Sequence, residues 1–258
     1  MTVFSPYISL GSTPAAKTTT LLSVVFFLLF CTTYSPAQKR FSRVYPAGQN
    51  VRLQLMNRSG TVEVAGWDRA EISISATLES PAAAIVPQSL SGTIVIDVVR
   101  ANQGKYEVGN INFLIRVPYS TMVDIETRIG NLKVSNIQSG LVRAHISSEG
   151  DITLTNIYAS AVSAENVTGD IFFDGELSAG GNYRFSSMRG EINLRIPFES
   201  SFRLVATAPS TRNISLGSFA NGNMSYLGDG RRVVGRFGNG SATLTVTNQQ
   251  GGISFRRR

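Results

Sequence analysis

The sequence predicts an all-β protein: a single-chain parallel β-solenoid, β-helix-like, with coils of about 20 residues and irregular capping strands at both ends. Three observations predict it. Past Arg43 nearly every segment alternates apolar and polar residues with period two. Breakers, mostly glycine, interrupt that alternation about every 10 residues. One short glycine-headed motif also recurs four times at almost constant spacing.

Composition excludes several classes at the outset. The 258 residues hold 24 Lys+Arg against 17 Asp+Glu, one histidine and one cysteine; 42% are hydrophobic and only 16% charged. A charge-poor chain with 14 Phe can bury enough apolar area to offset its conformational entropy. His145 and Cys31 alone leave no side chains for a His-rich metal site, a zinc ribbon or a disulfide framework. No metal and no cofactor are expected.

Residues 1–37 read as a signal peptide. Lys17 is the only charge there, and it precedes the apolar run Leu21-Leu22-Ser23-Val24-Val25-Phe26-Phe27-Leu28-Leu29-Phe30. Such a run suits a signal h-region and falls short of the ~20 residues needed to span a bilayer. Ser35-Pro36-Ala37 offers small residues before a cleavage site and places the mature N-terminus at Gln38. The alternative is an uncleaved anchor, which would then be the protein's one membrane contact. Leu28-Leu29-Phe30-Cys31 loosely resembles a lipobox, but Phe30 is too large to precede a lipidated cysteine. With Cys31 removed, residues 38–258 form one domain without a thiol, exported to the periplasm, envelope or exterior and stabilised without disulfides. Loss of Lys17 lowers the net charge from +7 to +6.

The mature part is written as strand, turn, strand. Val51-Arg52-Leu53-Gln54-Leu55, Thr61-Val62-Glu63-Val64, Glu71-Ile72-Ser73-Ile74-Ser75 and Asn112-Phe113-Leu114-Ile115-Arg116-Val117 each put one set of side chains inward and the other outward. The best helical segment is Ser80-Pro81-Ala82-Ala83-Ala84-Ile85, with proline at a suitable first helical position.

The repeat lies at about 122–196. Gly130-Asn131-Leu132-Lys133-Val134, Gly150-Asp151-Ile152-Thr153-Leu154, Gly169-Asp170-Ile171-Phe172-Phe173 and Gly190-Glu191-Ile192-Asn193-Leu194 share one template, their glycines 20, 19 and 21 residues apart. Asn136-Ile137 and Asn156-Ile157 recur at one offset, and Gly252-Ile253-Ser254-Phe255 echoes the template once more. A lone coil cannot bury its apolar face, so successive coils stack in parallel, about 4.8 Å apart. Glycine marks the corner, where positive φ or close backbone approach is needed, and the Asp, Asn or Glu beside it bonds turn amides. A Greek-key sandwich with similar hairpins is the competing architecture. The flanks, 44–80 and 205–250, read as irregular coils or caps closing the solenoid's ends.

The same residues carry a resemblance. Ser59-Gly60-Thr61-Val62-Glu63-Val64 with Gly66-Trp67-Asp68, then Ile115-Arg116-Val117-Pro118, the Gly-Asp-Ile repeats and a closing glycine-rich strand resemble the bacterial putative-adhesin family, a domain of unknown function, over about 44–255. The resemblance implies an exported or envelope-associated β-solenoid and supplies no catalytic residues.

Two sets of residues are candidates for function. Stacking would align Asn131, Asp151, Asp170 and Glu191 in a column with backbone spacing near that of the ~5 Å carboxyl pair of a retaining glycosidase. The plainer reading is turn chemistry. Outward residues Asp124, Glu126, Arg128, Arg143 and His145 repeat at coil spacing and form the expected binding face, with His145 between Glu126 and Glu165. No Gly-x-Ser-x-Gly elbow is present, and Gly228-Asp229-Gly230 and Gly238-Asn239-Gly240 read as turns. Twenty of the basic residues are arginine, scattered except for Arg231-Arg232 and Arg256-Arg257-Arg258, a basic tail. That scatter points away from nucleic acid and toward an anionic envelope surface.

The expectation is therefore a non-enzymatic, exported interaction module that binds a glycan, an anionic envelope polymer or a protein partner through its strand faces. A polysaccharide-active enzyme using the acidic column is one alternative. A self-assembling envelope protein, its ends or edges pairing into oligomers, is the other.

Overall fold

The computed structural model describes residues 1–3, 38–48 and 51–258. The expected signal segment, apart from its first three residues, lies outside them, as do Cys31 and the cleavage site. Gln38–Arg258 forms one compact unit, mostly strand.

The strands stack into two parallel ladders. In the first, β6 (Thr93–Asp97) is followed by β2 (Arg52–Ser59), β8 (Met122–Ile129) and residues 142–149 of β9 (Leu132–Glu149). Residues 161–168 of β10 (Ile152–Thr168), 182–189 of β11 (Ile171–Arg189), β17 (Ala242–Gln250) and β13 (Phe202–Thr207) complete it. The second ladder runs from β7 (Ile111–Pro118) and β3 (Val62–Trp67) through the first halves of β9, β10 and β11. It ends with β12 (Ile192–Ile196), β18 (Ile253–Arg257) and β14 (Ile214–Ser215). The long strands β9, β10 and β11 pass from one ladder to the other, which is the solenoid.

Glycine builds the corner between each first-ladder strand and the second-ladder strand that follows it. Gly130 and Gly150 have φ of +116° and +147°, and a Cβ at Gly150 would overlap the carbonyl oxygen of Gly130 one coil away. The column reads Gly60, Gly130, Gly150, Gly169, Gly190, Gly251. The regular stack therefore extends past residues 122–196: the coil of β2–β3 lies on one side of it and that of β17–β18 on the other. Residues 68–121 and 197–241, which intervene in sequence, fold outside those coils as the caps.

A second corner device is internal. Asn57, Thr127, Asn166, Ser187 and Asn248 each sit three residues before a corner glycine with their side chains buried. They donate to corner carbonyls: Asn166 Nδ2 to Gly169 O at 2.8 Å, Asn248 Nδ2 to Gly190 O at 2.7 Å and Gly252 O at 2.8 Å. These bonds satisfy carbonyls that the turn would otherwise bury unpaired. Before Gly150 the strand holds an extra residue and Ile146 takes the inward place, so Asn166 of the next coil also serves Gly150 O, at 3.2 Å.

Inward side chains interlock by size. Ala144 and Ala164 leave room in the middle coils, while Tyr183 and Phe185 pack on Phe173, the Phe173–Phe185 ring centroids 5.0 Å apart. Antiparallel strands finish the ends. On the second ladder β4 (Glu71–Leu78) joins β7 to β1 (Lys39–Pro46); on the first, β5 (Gln88–Leu90) pairs with β6. At the far end β16 (Arg232–Phe237) and β15 (Asn223–Leu227) extend β13 over a cluster of Phe198, Phe202, Phe219, Phe237 and Phe255. Lys39, Arg40, Arg43 and Pro46 on β1 make that edge a poor template for another strand.

Two local expectations are corrected. Residues 80–85 are not helical. The side chain of Asn102 instead brackets the backbone of Ala84, accepting from its N–H at 2.8 Å and donating to its carbonyl at 2.9 Å, which ties the irregular segment down. The short helix is α1 (Val98–Ala101), capped by the Asp97 carboxylate on the Arg100 N–H. Nor are Arg256-Arg257-Arg258 a loose basic tail: Arg256 and Arg257 are in β18 and the Arg258 N–H donates to Ile196 O at 2.9 Å.

Candidate binding face

The corner acids come first, because stacking brings them together as expected. Asn131 Oδ1 accepts the N–H of Asp151 at 2.9 Å, Asp151 Oδ1 that of Asp170 at 2.8 Å, and Asp170 Oδ1 that of Glu191 at 2.7 Å. Each side chain thus holds the turn of the next coil. All four lie exposed on the outer corner. Asn131 does the same work uncharged, so the ladder requires an acceptor and not a carboxylate. Among the described residues no cluster of His, Cys, Asp or Glu is arranged to hold a metal ion.

The five strand-face residues lie on the outer side of β8 and β9. Asp124 aligns with Arg143, and Glu126 with His145, which aligns in turn with Glu165. Asp124 differs from the expected solvent-facing residue: it is 6% exposed. Arg52 covers Oδ2, and Arg143 Nη1 lies 3.0 Å from Oδ1, so two guanidiniums from the flanking coils enclose one carboxylate. Arg143 also reaches Glu126 at 3.9 Å, and of the set only Asp124 is closed to solvent.

Arg128 and Glu126 open onto a groove that sequence patterning did not reveal. It encloses about 540 Å³ between α1 and the outer side of β2 and β8, and Arg58, Arg100 and Arg128 line it together with Met56, Val98 and Val99. None of the three arginines pairs with a carboxylate among the described residues. Farther along the same ladder Arg203 and Arg236 face each other across β13 and β16, again without an acid. The signal was available in part, since Arg58 and Arg128 both stand two residues before a corner glycine. What hid it was α1, whose position comes from residues about 40 apart in sequence from β2.

The second ladder has a matching clamp. Asp174, 3% exposed, lies 2.6 Å from Arg195 Nη2, and its Oδ1 is 3.3 Å from Arg258 Nε in poor hydrogen-bond alignment, so that contact is mainly Coulombic. Arg258 also donates to the Tyr158 hydroxyl at 3.2 Å and Asn156 Oδ1 at 3.1 Å. The Tyr158 hydrogen bond, with Asp174 and Glu176, holds its guanidinium above the ordinary arginine pKa against the opposing effect of burial. Tyr183 is fully buried, its hydroxyl donating to Ala159 O at 2.7 Å, and Trp67 lies under Arg69 and Arg116; Tyr106 and Tyr226 are exposed.

Fold and face define an all-β solenoid with capped ends and one arginine-rich strand face. Residues 32–256 match the Toastrack DUF4097 family, and the chain belongs to it. No curated protein matches the chain. Among solved structures, a putative cell adhesion protein from Clostridium sporogenes is similar over 86% of this chain and 100% of its own, with 9% identity and a TM-score of 0.51. A putative adhesin from Bacteroides fragilis covers 86% of this chain and 99% of its own at 11% identity, with a TM-score of 0.37. A putative lipid binding protein from Parabacteroides distasonis covers 85% and 97% at 10% identity, with a TM-score of 0.34. At 9% identity the likeness to the Clostridium sporogenes protein is one of fold.

Proposed function

We propose that the chain is an exported, non-enzymatic interaction module that binds an anionic envelope polymer along the outer side of its first ladder. One observation carries this reading: the ladder bears arginines at coil spacing whose charge the protein leaves uncompensated, Arg58 beside Arg128 and Arg203 opposite Arg236. Like charges opposed on a sheet are destabilising, and a polyanion lying across the strands relieves them. The corner acids support the non-enzymatic part, because Asp151 and Asp170 each already accept a backbone amide of the next coil. The structure from Clostridium sporogenes that shares the fold is named a putative cell adhesion protein.

The test is retention of an isolated anionic envelope polysaccharide, against neutral dextran, on the immobilised full chain at rising salt. Retention of the anionic polymer alone, lost as salt screens the charges, is expected, and Arg203→Glu with Arg236→Glu should weaken it. Equal retention of dextran, or retention indifferent to salt, sinks the reading.

A further inference from the structure

The groove beside α1 is more specific than the rest of the face. Arg58 and Arg128 are neighbours on adjacent parallel strands, bracketed by the pairs Asn57–Thr127 and Ser59–Ile129. Strands so paired lie about 4.8 Å apart, which roots the two arginine side chains next to each other on the outer side of the sheet. The nearby acids are otherwise engaged. Asp97 caps α1, Asp124 is enclosed by Arg52 and Arg143, and Glu126 is drawn toward Arg143. Arg100 closes the opposite wall, and that wall is fixed: the buried side chain of Asn102 donates to the carbonyls of both Val98 and Ala84. The groove is thus lined by three arginines without ion-pair partners and by two carboxylates, Asp97 and Glu126, that are held elsewhere. Planar guanidinium forks match the oxygens of phosphate, and Met56 and Val99 offer aliphatic surface beside them. No aromatic ring lines the groove, so its recognition does not depend on stacking a sugar face. Its size suits a small organic ligand.

We propose that this groove binds a phosphate ester, the phosphate held among Arg58, Arg100 and Arg128 and its organic body against Met56 and Val99. The proposal rests on the reading of this face as an interaction surface and names the chemistry of one seat in it.

Calorimetric titration of the full chain with glycerol 3-phosphate tests it. Saturable binding is expected, weakened about tenfold or more in Arg58→Gln/Arg128→Gln and unchanged in Arg43→Gln on the β1 edge. The double variant should also melt no lower than the parent, because it removes a like-charge pair. Phosphatidylglycerol vesicles and a glycerol-phosphate polymer identify the source of the phosphate: displacement of the protein from one or the other by glycerol 3-phosphate supports the site. No saturable binding of glycerol 3-phosphate, or equal binding by the double variant, overturns the proposal. If phosphate fails while anionic polysaccharide is still retained in the salt-dependent assay, the phosphate seat is lost and the interaction reading stands. If both fail, the reading falls with it.

Discussion

Asp151 and Asp170 are joined through the backbone: the carboxylate of Asp151 accepts the backbone N–H of Asp170, 2.8 Å away on the next coil. Stacking produces this geometry directly, because the residue after each corner glycine sits above its counterpart. The column that looks like paired acids is a ladder of turn caps.

It follows that charge at these positions should matter little and the acceptor should matter more. Asp151→Asn and Asp170→Asn are expected to unfold in urea at nearly the parent midpoint, since Asn131 already performs the task. Asp151→Ala should lose about 1 kcal/mol, the net worth of one such bond. A glycan-cleaving activity abolished by Asp170→Asn in a protein of unchanged stability would restore the enzymatic alternative.

The glycine column makes a sharper prediction. Gly150→Ala places a methyl group against the Gly130 carbonyl at a φ of +147°, and should cost about 2–4 kcal/mol or prevent folding. Gly140→Ala is the internal control: nothing lies within 4 Å of its Cβ position, and its melting temperature should barely move. Equal effects at the two sites would mean that the corners do not stack closely.

The clamp on the second ladder predicts an asymmetry. Asp174 is buried, whereas the side chains of Arg195 and Arg258 are 47% and 28% exposed. Removing the acid lets both arginines return to water, so Asp174→Leu should cost no more than about 1 kcal/mol. Removing both bases strands a buried carboxylate, so Arg195→Met/Arg258→Met should cost about 3 kcal/mol. Denaturant unfolding of the three proteins decides it, and a reversed order would place Asp174 in solvent.

Particular residues show how far the sequence could be read. Gly130, Gly150, Gly169 and Gly190 announced a corner, and the register of Glu126, His145 and Glu165 followed from their spacing. The polar residues three before each glycine were equally regular, yet Asn57 and Asn248 lie far from the recognisable repeats and join the series only once their coils are seen to stack. Asp124 illustrates the other limit. Alternation places it outward correctly, but Arg52, 72 residues earlier, buries it.

The sequence by itself determined the strands, their inward and outward sides and the glycine corners, because these depend on local sterics and on a period of two residues. Tertiary structure alone decided which coils are neighbours. Gly60 stacks on Gly130 and Gly251 on Gly190 because residues 68–121 and 197–241 loop outward to cover the ends. Coils built on one template can stack on one another, so a coil's own residues do not specify its neighbour. The Arg58–Arg128 pair, the α1 wall beside it and the two aspartate clamps all arise from that choice.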